Sequence, residues 1–145
     1  MKIATAAYPL DVLTSWGQYE DKLAHWVAEA AVQGAELLVF PEYAAMELAT
    51  LDGAEVAADL ERSLFSVSDK LEEADRLHVK LAAEHNVHIV AGSGPAATES
   101  RPVNRARLIT PTGQVGVQDK QIMTRFEREE WGAVSYTHLT LPTNR

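Results

Sequence analysis

The sequence predicts one α/β domain built around a mixed sheet, and three observations carry that reading. Short apolar runs bounded by glycine and proline alternate with long stretches of helical period, the order that gives β-α-β crossovers and parallel pairing. The most sharply bounded run, Leu37 to Phe40, follows Gly34 and stops at Pro41-Glu42. Further on, two strand-like segments flank the turn Thr110-Pro111-Thr112-Gly113, a hairpin that adds antiparallel strands to the parallel ones.

Taken in order, Lys2 to Ala7 is a short, mostly apolar strand ended by Tyr8-Pro9. Asp11 to Gly17 is a loop of turn-formers in which Ser15 can cap a helix. Leu23, Trp26, Val27, Ala30 and Ala31 then recur at the spacing of a helix with one buried face, and Gly34 stands where a C-terminal glycine belongs. Leu37 to Phe40 is too short for a buried helix and reads as a strand buried on both faces. Pro41 cannot donate to a ladder, so Glu42 stands just past the strand's C-terminal end.

Beyond it, Gly53 to Leu64 carries Val56, Ala57, Leu60 and Leu64 at helical spacing, and Ser68 to His85 is the longest helix signal. In that second stretch Leu71, Ala74, Leu77, His78, Leu81 and Ala82 form a stripe, and the intervening charges read as a solvated surface. Val87 to Ala91 is a buried strand, and Gly92-Ser93-Gly94 after it reads as a tight turn between strands. Asn104 to Ile109 alternates polar and apolar, which predicts a strand with one wet face, and Gln114 to Asp119 is its hairpin partner. From about Ala133 the chain has no helical period and no charge before Arg145, so residues 1 to 132 are expected to be the domain and 133 to 145 a non-native read-through tail.

Composition narrows the function classes. With 145 residues, 46% of them hydrophobic, the chain is long enough for one real core. Thirteen basic residues against twenty-one acidic give a formal charge of −8, which argues against nucleic acid and anionic lipid as partners. No apolar run reaches the roughly 20 residues that span a bilayer, and no signal-peptide core follows Met1-Lys2, so a cytoplasmic location is expected. There is no cysteine, hence no disulfide and no thiolate metal site.

Two charged residues stand out. Taken alone, Glu42 is an ordinary solvated carboxylate after a strand. Val115 to Lys120 is a second short strand ending in a charge, however, and both ends can meet at the sheet edge where ligands bind in open α/β folds. A general base and an oxyanion partner would then face each other. Other candidates are weaker. Glu47 reads as a polar residue on a connecting loop, His25 as a surface or boundary residue of a helix, and His85 and His88 point in unrelated directions across a helix-to-strand junction, so no metal site is expected. Gly92-Ser93-Gly94-Pro95-Ala96-Ala97 has the spacing of a dinucleotide fingerprint, but Thr98 to Pro102 looks like a loop where that fingerprint needs a helix.

In Leu37-Val39-Phe40-Pro41-Glu42, in Asp119-Lys120, and in the segment Arg125-Phe126-Glu127-Arg128-Glu129-Glu130-Trp131-Gly132, the sequence resembles the nitrilase, or carbon-nitrogen hydrolase, superfamily. The resemblance spans residues 1 to about 132. It implies an α-β-β-α sandwich truncated here to roughly its first half, with strands left exposed at an edge or face. It also implies hydrolysis of a small-molecule amide or nitrile through a covalent thioester, without cofactor, in a parent protein that is a homo-oligomer. Glu42 is then the general base and Lys120 the oxyanion partner. A second glutamate follows the lysine, with Glu129 as our choice and Glu127 and Glu130 as close rivals. The nucleophilic cysteine belongs beyond this sequence, so the chain as given is expected to be inactive. Amidase is preferred to nitrilase because amide cleavage is the commoner activity of the family. The alternatives are a cysteine-free, non-catalytic binding or regulatory module, and a nucleotide-binding α/β domain.

Overall fold

The computed structural model describes residues 1 to 129. Its elements are β1 (Ile3–Thr5), α1 (Trp16–Val32), β2 (Leu37–Val39), a 3-10 segment (Ala44–Asp52), α2 (Ala54–Ala58), α3 (Leu60–His85), β3 (His88–Ala96), β4 (Val103–Ile109), β5 (Val115–Asp119) and α4 (Arg125–Glu129). The five strands form one open sheet in sequential order; β1, β2 and β3 are parallel, and β4 and β5 add antiparallel. This is the mixed sheet expected from the sequence.

Local chemistry sets the helix ends. The Ser15 hydroxyl accepts from the Gln18 backbone N–H at 3.3 Å, and Gly34, at φ 82°, ends the turn after α1 in a conformation that costs glycine little. On α3, the Asp59 carboxylate accepts from the Arg62 N–H at 2.8 Å, and Asn86 closes the far end in the left-handed region. That cap makes α3 a full turn and more longer at its start than the Ser68 to His85 period suggests. The segment Gly53 to Leu64 is divided at Asp59 between α2 and α3. Tyr19, Leu23 and Val27 of α1 and Leu71, Ala74, Leu77, Leu81 and Ala82 of α3 pack with Leu38, Ile89 and Ile109 in one core on one side of the sheet.

Two expectations are corrected. The polar side chains of β4 do not face water: Arg107 is 1% exposed on the helix side, while Leu108 is 44% exposed on the other. Burial is tolerated because the guanidinium is paired, with Nε donating to Asp75 at 2.7 Å and Nη1 to the Gly92 carbonyl at 2.8 Å. Nor do Gly92 and Gly94 form a turn, for β3 continues through both to Ala96, with a register shift against β4 between Ala91 and Gly94. Glycine is required there by contact. A Cβ on Gly92 would lie 2.3 Å from the Ala44 Cβ and 2.8 Å from the Pro41 carbonyl, and one on Gly94 would lie 2.6 Å from the Ala45 Cβ. The 3-10 segment can therefore lie directly against β3. Because the strand runs on, no helix follows the glycines to hold a pyrophosphate.

The topology decides which residues can meet. Parallel β2 and β3 end at the same sheet edge, antiparallel β4 begins there, and β5 ends there. Residues just past β2, late in β3, at the start of β4 and just past β5 are thereby gathered.

Candidate active site

Glu42 stands three residues beyond the end of β2, in a turn closed by the Ala44 N–H donating to the Pro41 carbonyl at 3.3 Å. Lys120 follows β5 directly, and its backbone N–H donates to the Asn104 carbonyl at 2.8 Å. Their side chains meet: Lys120 Nζ is 2.8 Å from Glu42 Oε1. It is also 2.9 Å from Glu127 Oε1, so the ammonium sits between two carboxylates.

Of the three glutamates after the lysine, the structure places Glu127 beside it. Glu127 is 3% exposed, whereas Glu129 lies on the outer side of α4 and pairs with Arg125 at 2.9 Å, a partnership of exposed side chains. The choice of Glu129 from the sequence therefore does not match the geometry, and Glu130 lies outside the described residues. Residues two apart on a helix are turned by about 200°, so only one of Glu127 and Glu129 can face inward. Glu127 is held inward by reciprocal bonds at the start of α4: its Oε2 accepts from the Thr124 N–H at 2.6 Å, and its own N–H donates to Thr124 Oγ1 at 3.2 Å. Tyr43 Oη donates to Glu127 Oε1 as well.

These contacts set the protonation states. Burial pushes the Glu127 carboxyl up, but the bonds from Tyr43, Thr124 and Lys120 outweigh it and bring the pKa down to about 2. For Lys120, burial disfavours the charge, yet the hydrogen bonds and charges of Glu42 and Glu127 prevail and hold the ammonium above its ordinary range. Tyr43 is raised by burial and by its bond to Glu127, so its proton stays on. The lysine is a fixed cation and Glu127 a saturated carboxylate. Glu42 is different, since its side chain is 55% exposed and borders a cleft of about 370 Å³ with Phe40, Val90, Ser93, Asn104 and Ala106.

Other residues of this cluster carry no obvious mark in the sequence. Tyr43 has φ 61°, a conformation that bulky side chains seldom adopt, and its N–H donates to Ser93 Oγ at 3.1 Å. Asn104, 6% exposed, donates from Nδ2 to Glu42 Oε1 at 2.9 Å. The one available signal was Thr124-x-x-Glu127, a capping-box pattern that singles out Glu127 from its neighbours.

Glu47 proves to be no loop carboxylate. It is 2% exposed, and its oxygens accept from Tyr8 Oη at 2.5 Å, Lys22 Nζ at 2.6 Å and the Asp11 N–H at 3.1 Å. It stands apart from the cleft. Among the described residues no group of three or more His, Cys, Asp or Glu is placed to hold a metal ion, and no helix is long and apolar enough to cross a membrane.

Comparison with known proteins gives this arrangement a context. The model of the carbon-nitrogen hydrolase family matches residues 2–143. The chain belongs to the carbon-nitrogen hydrolase family. Among curated relatives, a probable hydrolase, YhcX of Bacillus subtilis (strain 168), is 25% identical over 133 residues, covering 91% of this chain and 25% of its own length. Among solved structures, a carbon-nitrogen hydrolase from Helicobacter pylori G27 has a TM-score of 0.66 at 16% identity, covering 92% of this chain and 43% of that one. An amidase from Nesterenkonia sp. has a TM-score of 0.58 at 23% identity, covering 86% and 44%. This carbon-nitrogen hydrolase chain thus shares their fold while spanning a quarter of the curated relative and less than half of the solved ones.

Proposed function

We propose that this chain carries the glutamate–lysine part of the site of an amide-hydrolysing enzyme whose cysteine nucleophile lies outside the 145 residues. The observation that supports this most is the placement of Lys120 Nζ, 2.8 Å from Glu42 and 2.9 Å from Glu127. A lysine kept cationic by two carboxylates is unfit as a base and suited to balancing negative charge on a tetrahedral oxyanion. Glu42, exposed to the cleft, takes the proton of the attacking thiol, returns it to the leaving amine, and then activates the water that cleaves the thioester. Glu127 and Tyr43 hold the ammonium in place. Amide is preferred to nitrile because the solved neighbours include amidases, one of which, from Nesterenkonia sp. AN1, bears the acetamide moiety of fluoroacetamide on its active-site cysteine.

The absence of cysteine from the 145 residues favours a second reading, a non-catalytic module that keeps the fold. One experiment separates the two. The coding DNA is read from the Glu130 codon to the first genuine stop, and the encoded protein is assayed for ammonia release from simple aliphatic amides. The amidase reading expects a cysteine in the continued frame, turnover by that protein, none by the 145-residue chain, and a loss of about 10²- to 10⁴-fold in kcat on Glu42→Gln. A stop without a cysteine, or full activity in Glu42→Gln, overturns it.

A further inference from the structure

We infer that Asn104 is the positioning residue that aims Glu42, fixing one carboxylate oxygen so that the other is left to exchange protons; the inference rests on the amidase reading above. Asn104 is the second residue of β4, at the sheet edge where the site is gathered, and it contacts both members of the central pair. Its backbone carbonyl accepts the Lys120 N–H at 2.8 Å, and its Nδ2 donates to Glu42 Oε1 at 2.9 Å. That oxygen also accepts from Lys120 Nζ at 2.8 Å. Two donors thus converge on Oε1, while among the described residues none donates to Oε2. A carboxylate held in this way takes up a proton on Oε2, the oxygen its tether leaves open.

The amide is suited to the task because it donates without titrating, so it neither competes with Glu42 for a proton nor alters the charge of the site. Its oxygen, buried, has no partner among the described residues, so its orientation is set by what its nitrogen holds. Tyr43, the residue after Glu42, donates to Glu127, which accepts from Lys120. Movement of Glu42 off the lysine is resisted by the Asn104 amide, which holds the same oxygen.

The test uses the 145-residue chain and does not depend on turnover, so failure of the amidase reading leaves its outcome intact. The Asn104 side-chain amide protons and the Glu42 carboxyl carbon are followed by NMR as pH is varied. The other titratable groups facing the amide do not interfere: Glu127 ionises at about 2, and Lys120 and Tyr43 are both raised. The expected result is that the Asn104 amide protons move with the same midpoint as the Glu42 carboxyl, and that Glu42→Gln, a change at a half-exposed site, removes the movement. Amide protons that stay still across the Glu42 transition, or that move as before in Glu42→Gln, would overturn the assignment and leave Asn104 a bystander.

Discussion

Two clusters in this molecule are built from the same residue types and have different prospects. Glu47, Lys22 and Tyr8 meet between α1 and the 3-10 segment; Glu127, Lys120 and Tyr43, with Glu42, meet at the sheet edge. In each, a tyrosine hydroxyl and an ammonium converge on a glutamate. The first is closed, since Glu47 has a side chain with no exposure and bonds on both oxygens. The second contains Glu42, which is open to a cleft and has an oxygen to spare. What distinguishes the two glutamates is therefore unspent hydrogen-bonding capacity and access, and residue identity alone does not carry it.

Truncation tests this most strongly. Glu47→Ala leaves the buried Tyr8 hydroxyl without its acceptor and takes one partner from Lys22, which keeps Asp11 and the Pro9 carbonyl, and an unfolding free energy about 3 kcal/mol lower is expected in urea. Glu42→Ala, by contrast, should cost no more than about 1 kcal/mol, because Glu42 is 55% exposed and Lys120 keeps Glu127 as a partner. Equal costs for the two substitutions would end the comparison. An intermediate effect is expected on the acid side of the second cluster. The Glu127 pKa falls from 4.5 to about 2 on folding, so its contribution is complete above about 4.5 and is lost as pH falls through about 2. Denaturation curves between those pH values should show wild type losing on the order of 2 kcal/mol that Glu127→Gln does not lose. The smallest effect belongs to Glu129→Ala. Its partner Arg125 is 83% exposed, and thermal melts should show a change within about 0.5 kcal/mol.

Much of the frame could be read from the sequence because it is local. Gly34, Pro41 and the short apolar run between them specify β2 and the position of Glu42 past its end; the Thr110–Gly113 turn specifies the hairpin that brings Lys120 back to the same edge. The α1 and α3 stripes followed from a single period. What escaped notice depends on packing across the sheet. Arg107 looks like a wet-face residue until Asp75, 32 positions earlier, is brought beneath it. Glu127 and Glu129 are both compatible with a short helix in a charged segment, and apart from the Thr124-x-x-Glu127 pattern only the position of Lys120 separates them. Glu47 was hidden for the same reason: its partners come from Tyr8, Asp11 and Lys22, and nothing within its own neighbourhood announces them. Asn104 looks like one polar residue in an alternating strand, since its partners Glu42 and Lys120 reach it from beyond the ends of β2 and β5.

The close seating of the 3-10 segment on β3 also constrains how such a chain can change over generations. At positions 45 and 94 the space between backbones admits one methyl group, now carried by Ala45, and a second on Gly94 would lie 2.6 Å from it. The methyl can sit on either side of that contact but not on both. A lineage exchanging Ala45 and Gly94 one step at a time has glycine at both as its passable intermediate, and so must cross a slightly underfilled ancestor. Position 92 is narrower still, because the Pro41 carbonyl stands 2.8 Å from where its methyl would be, and removing the Ala44 side chain would not clear the way. The residue that brings the glutamate turn to rest is thus the one whose history has the fewest exits.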